Sequence, residues 1–111
     1  MSASTERKNI KVLVFPEGDY YVAQCLEYDI AVQARTMSKL KERLEETLSA
    51  YVILAKEHGD EPFSNLESAP ADYWRQWDSA VHSFQNFILK WPELDWIDET
   101  KIPQEAEMAL A

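Results

Sequence analysis

Cysteine, glycine and long apolar runs are scarce in this 111-residue chain. The single cysteine, Cys25, has no partner for an intramolecular disulfide and stands in no Cys/His spacing typical of a metal site, which favours a reducing compartment. No apolar run reaches the roughly 20 residues that span a bilayer. The opening residues, MSASTERKN, contain no apolar segment typical of a signal peptide. We therefore expect a cytoplasmic protein that does not enter the membrane.

Basic residues are also few, because eleven Lys and Arg stand against twenty Asp and Glu and give a net charge of −9. Residues 1–63 carry 11 acids and 8 bases, and residues 64–111 carry 9 acids and 3 bases. Nucleic-acid binding normally needs a basic footprint that neutralises phosphates. Direct nucleic-acid binding is therefore not expected, and a basic protein is the kind of partner that this charge attracts.

The first half of the chain predicts three antiparallel strands, over residues 10–15, 20–26 and 30–35. Residues 16–19 (PEGD) predict a four-residue hairpin loop, in which Gly18 can adopt a positive φ without steric cost. Since 46% of the residues are hydrophobic, a chain of this length is expected to form one core.

Alternation along these strands separates two apolar faces. The first face is expected to gather Ile10, Val12, Val14, Tyr21, Ala23, Cys25, Ile30, Val32 and Ala34. The second face is expected to carry Leu13, Phe15, Tyr20, Val22 and Leu26. Both are too apolar to face water, so each needs a covering layer.

A long amphipathic helix is predicted over residues 37–57, with Thr36 as N-cap and His58-Gly59 at its end. Apolar side chains recur every three to four residues and predict one buried stripe. The stripe consists of Leu40, Leu44, Leu48, Tyr51 and Leu54/Ala55. Packed on the first face, this helix would complete a β-β-β-α unit.

The second half predicts a C-terminal aromatic helix over residues 71–91, which Pro92 ends. Its stripe consists of Trp74, Trp77, Val81, Phe84, Ile88 and Trp91. Residues 104–111 are expected to form a short frayed helix or a disordered end. The predicted fold class is α+β: a three-stranded antiparallel sheet with one long helix across it, and the aromatic helix. Residues 1–63 would form the β-β-β-α domain, and residues 64–111 would pack on it or on a partner subunit.

Residues 22–48, VAQCLEYDIAVQARTMSKLKERLEETL, resemble the HicB-type antitoxins of HicA/HicB toxin–antitoxin pairs and their stand-alone relatives. The shared features are a Cys-Leu-Glu corner after a strand, a short third strand ending in Gln, and a Thr that opens a leucine-bearing helix. The resemblance extends over residues 10–57. It implies a partial RNase H-like fold, a homo-oligomer (dimer or higher), and a small basic HicA-like RNase toxin as partner.

Two departures from the family pattern accompany this resemblance. Ala34-Arg35 stands where the family usually has Gly-Asp, and Ser38-Lys39 stands where it has acids. The C-terminal half also lacks the basic element of a DNA-binding module. We therefore expect a stand-alone HicB-like domain in which the aromatic helix takes the place of that module.

Two surfaces are candidates for binding. The predicted partner or oligomer surface consists of Leu13, Phe15, Val22, Trp74, Trp77, Phe84, Glu93, Asp95, Asp98 and Glu99. A possible anion patch consists of Arg35, Lys39 and Arg43, near a helix N-terminus whose free N–H groups favour anions. The alternative for this patch is pairing with Glu42 and Glu46 on a solvated face.

No reaction is predicted. RNase H chemistry needs carboxylates that converge on a divalent metal, one of them on the first strand, and residues 10–15 contain none. Asp78 and His82 lie four residues apart without a recognisable nucleophile nearby, so a surface contact is expected. Cys25 is expected to be a small core residue. No catalytic residue, metal or cofactor is therefore predicted.

Three hypotheses of function remain. The first is a non-enzymatic protein-binding module resembling a HicB-type antitoxin, which occludes a small basic partner. The second is an orphan oligomeric domain without a toxin. The third is a small-anion-binding or enzymatic domain that uses the Arg35 patch.

Overall fold

Five strands and two α-helices form the protein, in a computed structural model that describes residues 9–80 and 85–111. In chain order they are β1 (Asn9–Glu17), β2 (Tyr20–Cys25), β3 (Ala31–Ala34), α1 (Met37–Glu57), α2 (Ala71–Ser79), β4 (Gln85–Ile88), a single 3₁₀ turn (Glu99–Lys101) and β5 (Glu105–Leu110). The sheet order is β3-β2-β1-β5-β4. Among the described strands β1 and β5 are parallel and the other neighbouring pairs are antiparallel, so the fold is α+β with a mixed sheet.

The predicted meander forms, as one side of this larger sheet. β1 pairs with β2 from Val12↔Cys25 to Glu17↔Tyr20, and β3 continues the antiparallel order. The hairpin loop is shorter than predicted, because β1 continues to Glu17 and leaves only Gly18 and Asp19 unpaired. Gly18 has φ 60°, the sign that the first position of a type II′ hairpin turn requires.

Helix α1 begins and ends where the sequence predicts. The Thr36 hydroxyl accepts a hydrogen bond from the Lys39 backbone N–H at 3.1 Å. The buried residues are Leu40, Leu44, Leu48 and Val52, and they pack on the first sheet face. The prediction that Leu54 belongs to the stripe is wrong: a spacing of four places Val52 in the core and leaves Leu54 50% exposed.

Residues 104–111 are not a frayed helix or a disordered end, which corrects that prediction. They contain β5, which runs parallel to β1 from Asn9↔Glu105 to Val14↔Leu110. Ala106, Met108 and Ala109 are buried there. Without β5, the inner edge of β1 would leave its backbone groups unpaired inside the core.

The predicted aromatic helix over residues 71–91 is also not seen. Helix α2 ends at Ser79, the Ala80 backbone is extended, and residues 85–88 form β4, which pairs with β5. Val81, His82 and Phe84 lie outside the described residues. The nine residues of α2 still reach the second sheet face, where Trp77 contacts a cluster that includes Leu13, Leu26 and Ala109.

The connector between the two helices, residues 58–70, is hydrogen-bonded to the corner between β2 and β3. The Asp29 N–H donates to the Glu67 carbonyl at 2.7 Å, and the Ala69 N–H donates to the Leu26 carbonyl at 2.9 Å. The Tyr28 ring stacks on Phe63 with centroids 4.4 Å apart. These contacts fix the connector so that α2 begins beneath the second face.

A charge placed in the middle of β5 is expected to destabilise the whole protein. Ala106→Asp should lower the free energy of unfolding by about 3–5 kcal/mol, because it leaves an uncompensated buried charge between β1 and β4. Urea unfolding followed by circular dichroism measures this loss. Leu110→Asp, in the same strand at a 46% exposed position, is the control and should cost under about 1 kcal/mol. Equal, small effects would contradict a buried fifth strand.

Removal of the Trp77 ring should expose the second sheet face. Trp77→Ala is expected to cost about 3–5 kcal/mol, the range for truncating a buried aromatic side chain. Trp96→Ala removes a ring that is 39% exposed and should cost much less. Thermal unfolding of both variants tests the comparison, and an unchanged melting temperature for Trp77→Ala would show that α2 does not cover the sheet.

Candidate partner-binding surface

The segment between β4 and β5 forms the most acidic surface of the second half of the chain. It includes the acidic loop, defined here as residues 92–101, which carries Glu93, Asp95, Asp98 and Glu99, all exposed, against one base, Lys101. These four acids belong to the partner surface that the sequence predicts, and the structure brings them together on one loop.

The two ends of the acidic loop are tied to the core. The Leu89 N–H donates to the Gln104 carbonyl at 3.0 Å, and the Trp91 indole N–H donates to the Pro103 carbonyl at 2.8 Å. Ile102 is 1% exposed, and Trp91 and Ile97 pack against the core that α1 covers. The loop is therefore held in place although most of its residues are exposed.

Two charged side chains of the acidic loop, Asp98 and Lys101, form hydrogen bonds or ion pairs within the protein. The Asp98 carboxylate accepts hydrogen bonds from the Thr100 hydroxyl at 2.7 Å and the Thr100 backbone N–H at 3.0 Å, which holds the pKa of Asp98 below its ordinary value. The Lys101 ammonium lies 2.9 Å from the Glu61 carboxylate, which raises the pKa of Lys101. Glu93, Asp95 and Glu99 form no ion pair with any described residue.

An acidic groove of about 440 Å³ opens between Trp91 and Gln104. Its apolar lining is Trp91, Pro92, Leu94, Ile97 and Ile102. Its charged lining is Glu93, Asp95 and Glu99, without a basic side chain from the described residues. The groove thus combines several apolar side chains with uncompensated negative charge.

A second, apolar groove of about 450 Å³ lies between the outer face of α1 and the start of the acidic loop. Ala50 and Ile53 of α1 and Pro92 supply its apolar lining. Glu42, Glu45, Glu46, Ser49 and Lys90 complete its lining. Pro92 lines both grooves, which therefore lie next to each other on the surface.

Two of the apolar residues predicted for a partner surface, Leu13 and Trp77, lie inside the protein, which corrects the expectation for them. Leu13 is fully buried and Trp77 is 8% exposed, because α2 packs over the second sheet face. Phe15 and Val22 are half-buried, and so is Trp74, whose indole N–H donates to the Ser68 hydroxyl at 3.0 Å. Phe84 lies outside the described residues.

The three cations of the possible anion patch are exposed, and each has a separate local partner. The Arg35 guanidinium lies 5.1 Å from the centre of the Tyr20 ring. Lys39 pairs with Glu42 at 2.8 Å, which lowers the pKa of the Glu42 carboxyl.

Arg43 completes the patch. Its guanidinium donates to the Gln33 backbone carbonyl at 3.0 Å. The structure therefore supports the alternative of local pairing for Lys39, whereas Arg43 binds the edge strand β3 and not Glu46. Each of the three cations is thus engaged by a different group.

Cys25 is a small core residue, as the sequence predicts. The side chain is fully buried between the sheet and α1, and it is a free thiol. Burial, with a smaller contribution from the negative charge of Glu27, raises the pKa of the Cys25 thiol to about 12. A thiol with this pKa is almost fully protonated at neutral pH and is a weak nucleophile.

The described residues provide neither a metal-binding cluster nor a membrane-spanning helix. Among residues 9–80 and 85–111, no group of three or more His, Cys, Asp or Glu side chains is arranged to hold a metal ion. Within the same ranges, neither helix combines the length and the apolarity of a membrane span. Asp78 is exposed, and its predicted neighbour His82 lies outside the described residues.

Comparison with known proteins gives no relative from which a function can be transferred. No protein-family model matches the chain, and no curated protein or solved structure matches it. The features that bear on function are therefore the fold, the two grooves and the charge of the surface.

Cys25 should resist alkylation in the native protein. At pH 8, iodoacetamide is expected to label native protein at least about 100-fold more slowly than urea-unfolded protein, because a raised pKa and burial suppress the thiolate. Since the folded pKa of the Cys25 thiol, about 12, exceeds its ordinary value of 9.0, its contribution to the free energy of unfolding is complete below pH 9 and is lost as pH rises towards 12. Cys25→Ala should remove this part of the alkaline dependence. Fast labelling under native conditions would contradict the assignment.

Proposed function

We propose that this chain is a non-enzymatic protein-binding module of the HicB-like antitoxin type, which binds a small basic protein such as a HicA-like RNase toxin. The observation that carries the proposal is that Glu93, Asp95 and Glu99 of the acidic loop have no ion pair with any described residue and line a groove together with apolar side chains. The β-β-β-α unit, with α1 packed across the sheet as the resemblance implies, supports the same assignment.

The mechanism that this surface supports is occlusion. An RNase must present cationic side chains to the phosphates of its substrate. An acidic protein that binds those side chains competes directly with RNA for the same surface. Charge complementarity also accelerates encounter, and this effect weakens as salt increases.

A second candidate function is an orphan oligomeric domain, and exposed apolar side chains favour it. Ile88 on the edge strand β4 is 62% exposed, and Leu54 on α1 is 50% exposed. Apolar side chains at a sheet edge and on a helix favour contact with a second copy. A homo-oligomer is compatible with both candidates, and light scattering measures it.

The antitoxin proposal predicts stoichiometric inhibition of a basic RNase. The purified chain should suppress RNA cleavage by the short basic protein encoded next to it, with inhibition complete near one chain per toxin molecule. Raising the salt concentration from 50 to 200 mM should weaken the complex, because charged contacts are screened. The measurement is cleavage of a labelled RNA at increasing chain concentrations.

An unrelated acidic protein of similar net charge is the control, and it should not inhibit at the same concentration. If the neighbouring basic protein keeps its full activity with excess chain, or if no such neighbour exists, the antitoxin proposal fails. The orphan oligomeric domain would then be the better account.

A further inference from the structure

We propose that the acidic groove and the apolar groove together are the docking surface for the partner, and that they accept an amphipathic basic segment. This inference rests on the proposed function and specifies its contact site. The segment would place apolar side chains on Ile53 and Pro92. Its Lys or Arg side chains would lie beside Glu93, Asp95 and Glu99.

The apolar groove supplies the first argument. Ala50 and Ile53 lie outside the stripe by which α1 packs on the sheet. Ile53 is 36% exposed and is not one of the buried residues of α1. Together with Pro92 they line a groove that is mainly apolar. An apolar strip next to an acidic groove fits a segment with both kinds of side chain better than it fits a free cation.

The charges supply the second argument. Glu93, Asp95 and Glu99 have no internal ion pair among the described residues, whereas Asp98 and Lys101 of the same loop are held by Thr100 and Glu61. The negative charge over the acidic groove is therefore free to meet a cationic partner. Long Lys and Arg stems can cover an apolar floor such as Leu94 while their charged ends reach carboxylates.

Rigidity supplies the third argument. The Trp91 indole is bonded to the Pro103 carbonyl, and the Gln104 amide donates to the Glu99 carbonyl at 3.0 Å. Both bonds hold residues that line the acidic groove, so its lining is ordered before a partner arrives. A surface that is already ordered loses less conformational entropy on binding.

The probe is a synthetic 18-residue peptide whose Leu side chains recur every three to four residues on one face of a helix and whose Lys side chains lie on the opposite face. A control peptide of equal charge carries Ser in place of Leu. Isothermal titration gives the dissociation constants, and ¹⁵N NMR locates the contact. The Leu peptide should bind at least fivefold more tightly than the Ser peptide. It should shift the Trp91 indole signal and the amides of residues 93–104.

The acidic groove is tested by the triple variant Glu93→Gln/Asp95→Asn/Glu99→Gln. It should bind the Leu peptide about tenfold more weakly, a loss of about 1.4 kcal/mol. The matched control Glu17→Gln/Asp19→Asn/Asp78→Asn removes the same charge at exposed positions away from both grooves and should change affinity less than twofold. If both triple variants lost affinity for the Leu peptide equally, net charge alone would explain the loss, and the inference would be overturned.

The apolar groove is tested by Ile53→Ser, with Leu54→Ser as control on the next residue of the same helix. Both side chains are exposed, so both variants should fold. Only Ile53→Ser should weaken binding of the Leu peptide, by about threefold or more. Equal affinity of the two variants, shifts located elsewhere, or no binding of the Leu peptide to the unmodified protein would each overturn the inference.

The RNA-cleavage assay separates this inference from the proposed function. If the unmodified chain and the acidic-groove variant inhibit the basic RNase equally, the docking surface is wrong and the antitoxin function stands. If the unmodified chain does not inhibit, the proposed function fails, and peptide binding alone would then describe the surface.

Discussion

Strand β1 is apolar on both faces and paired on both edges, and this double burial determines the rest of the architecture. Val12, Leu13 and Val14 are fully buried, although neighbouring side chains point to opposite sides of the sheet. Two covering helices and two neighbouring strands are therefore required. α1 and α2 cover the faces, while β2 and β5 pair with the edges. Since β5 starts beside Asn9, the chain that enters it, residues 89–104, is held at that end of the sheet.

The sequence predicts those parts of the fold that depend on local signals. Thr36 before a leucine repeat marks α1, and Gly18 marks the hairpin, because caps and turns are short-range chemistry. β5 depends instead on pairing with a strand almost one hundred residues earlier in the sequence. Its residues, EAEMAL, are mostly good helix formers, so their local preference opposes the structure that tertiary contacts impose. The aromatic spacing from Trp74 onwards is misleading in the same way after Ser79.

The sequence predicts the negative charge of the candidate surface but does not predict its shape. Glu93, Asp95 and Glu99 are recognisable as an excess of acids, but the bonds from Trp91 to Pro103 and from Gln104 to Glu99 appear only when β5 closes the sheet. Ile53 belongs to the apolar groove only because the buried stripe of α1 keeps a spacing of four. Ile53 lies outside that stripe and is left on the surface, where it lines the apolar groove.

The charge of the acidic groove has opposite effects on self-association and on binding of a basic partner. Two copies that met through the acidic grooves would bring six unneutralised carboxylates together, because each groove carries Glu93, Asp95 and Glu99, and like charges repel. Self-association would therefore use another surface, such as the β4 edge with Ile88, where exposed apolar area is available. A basic partner meets the opposite condition, since its cations gain from the same carboxylates. Under this proposal, an oligomer and a basic partner would therefore use different surfaces of one chain, because the charge that repels a second acidic groove attracts a cationic partner.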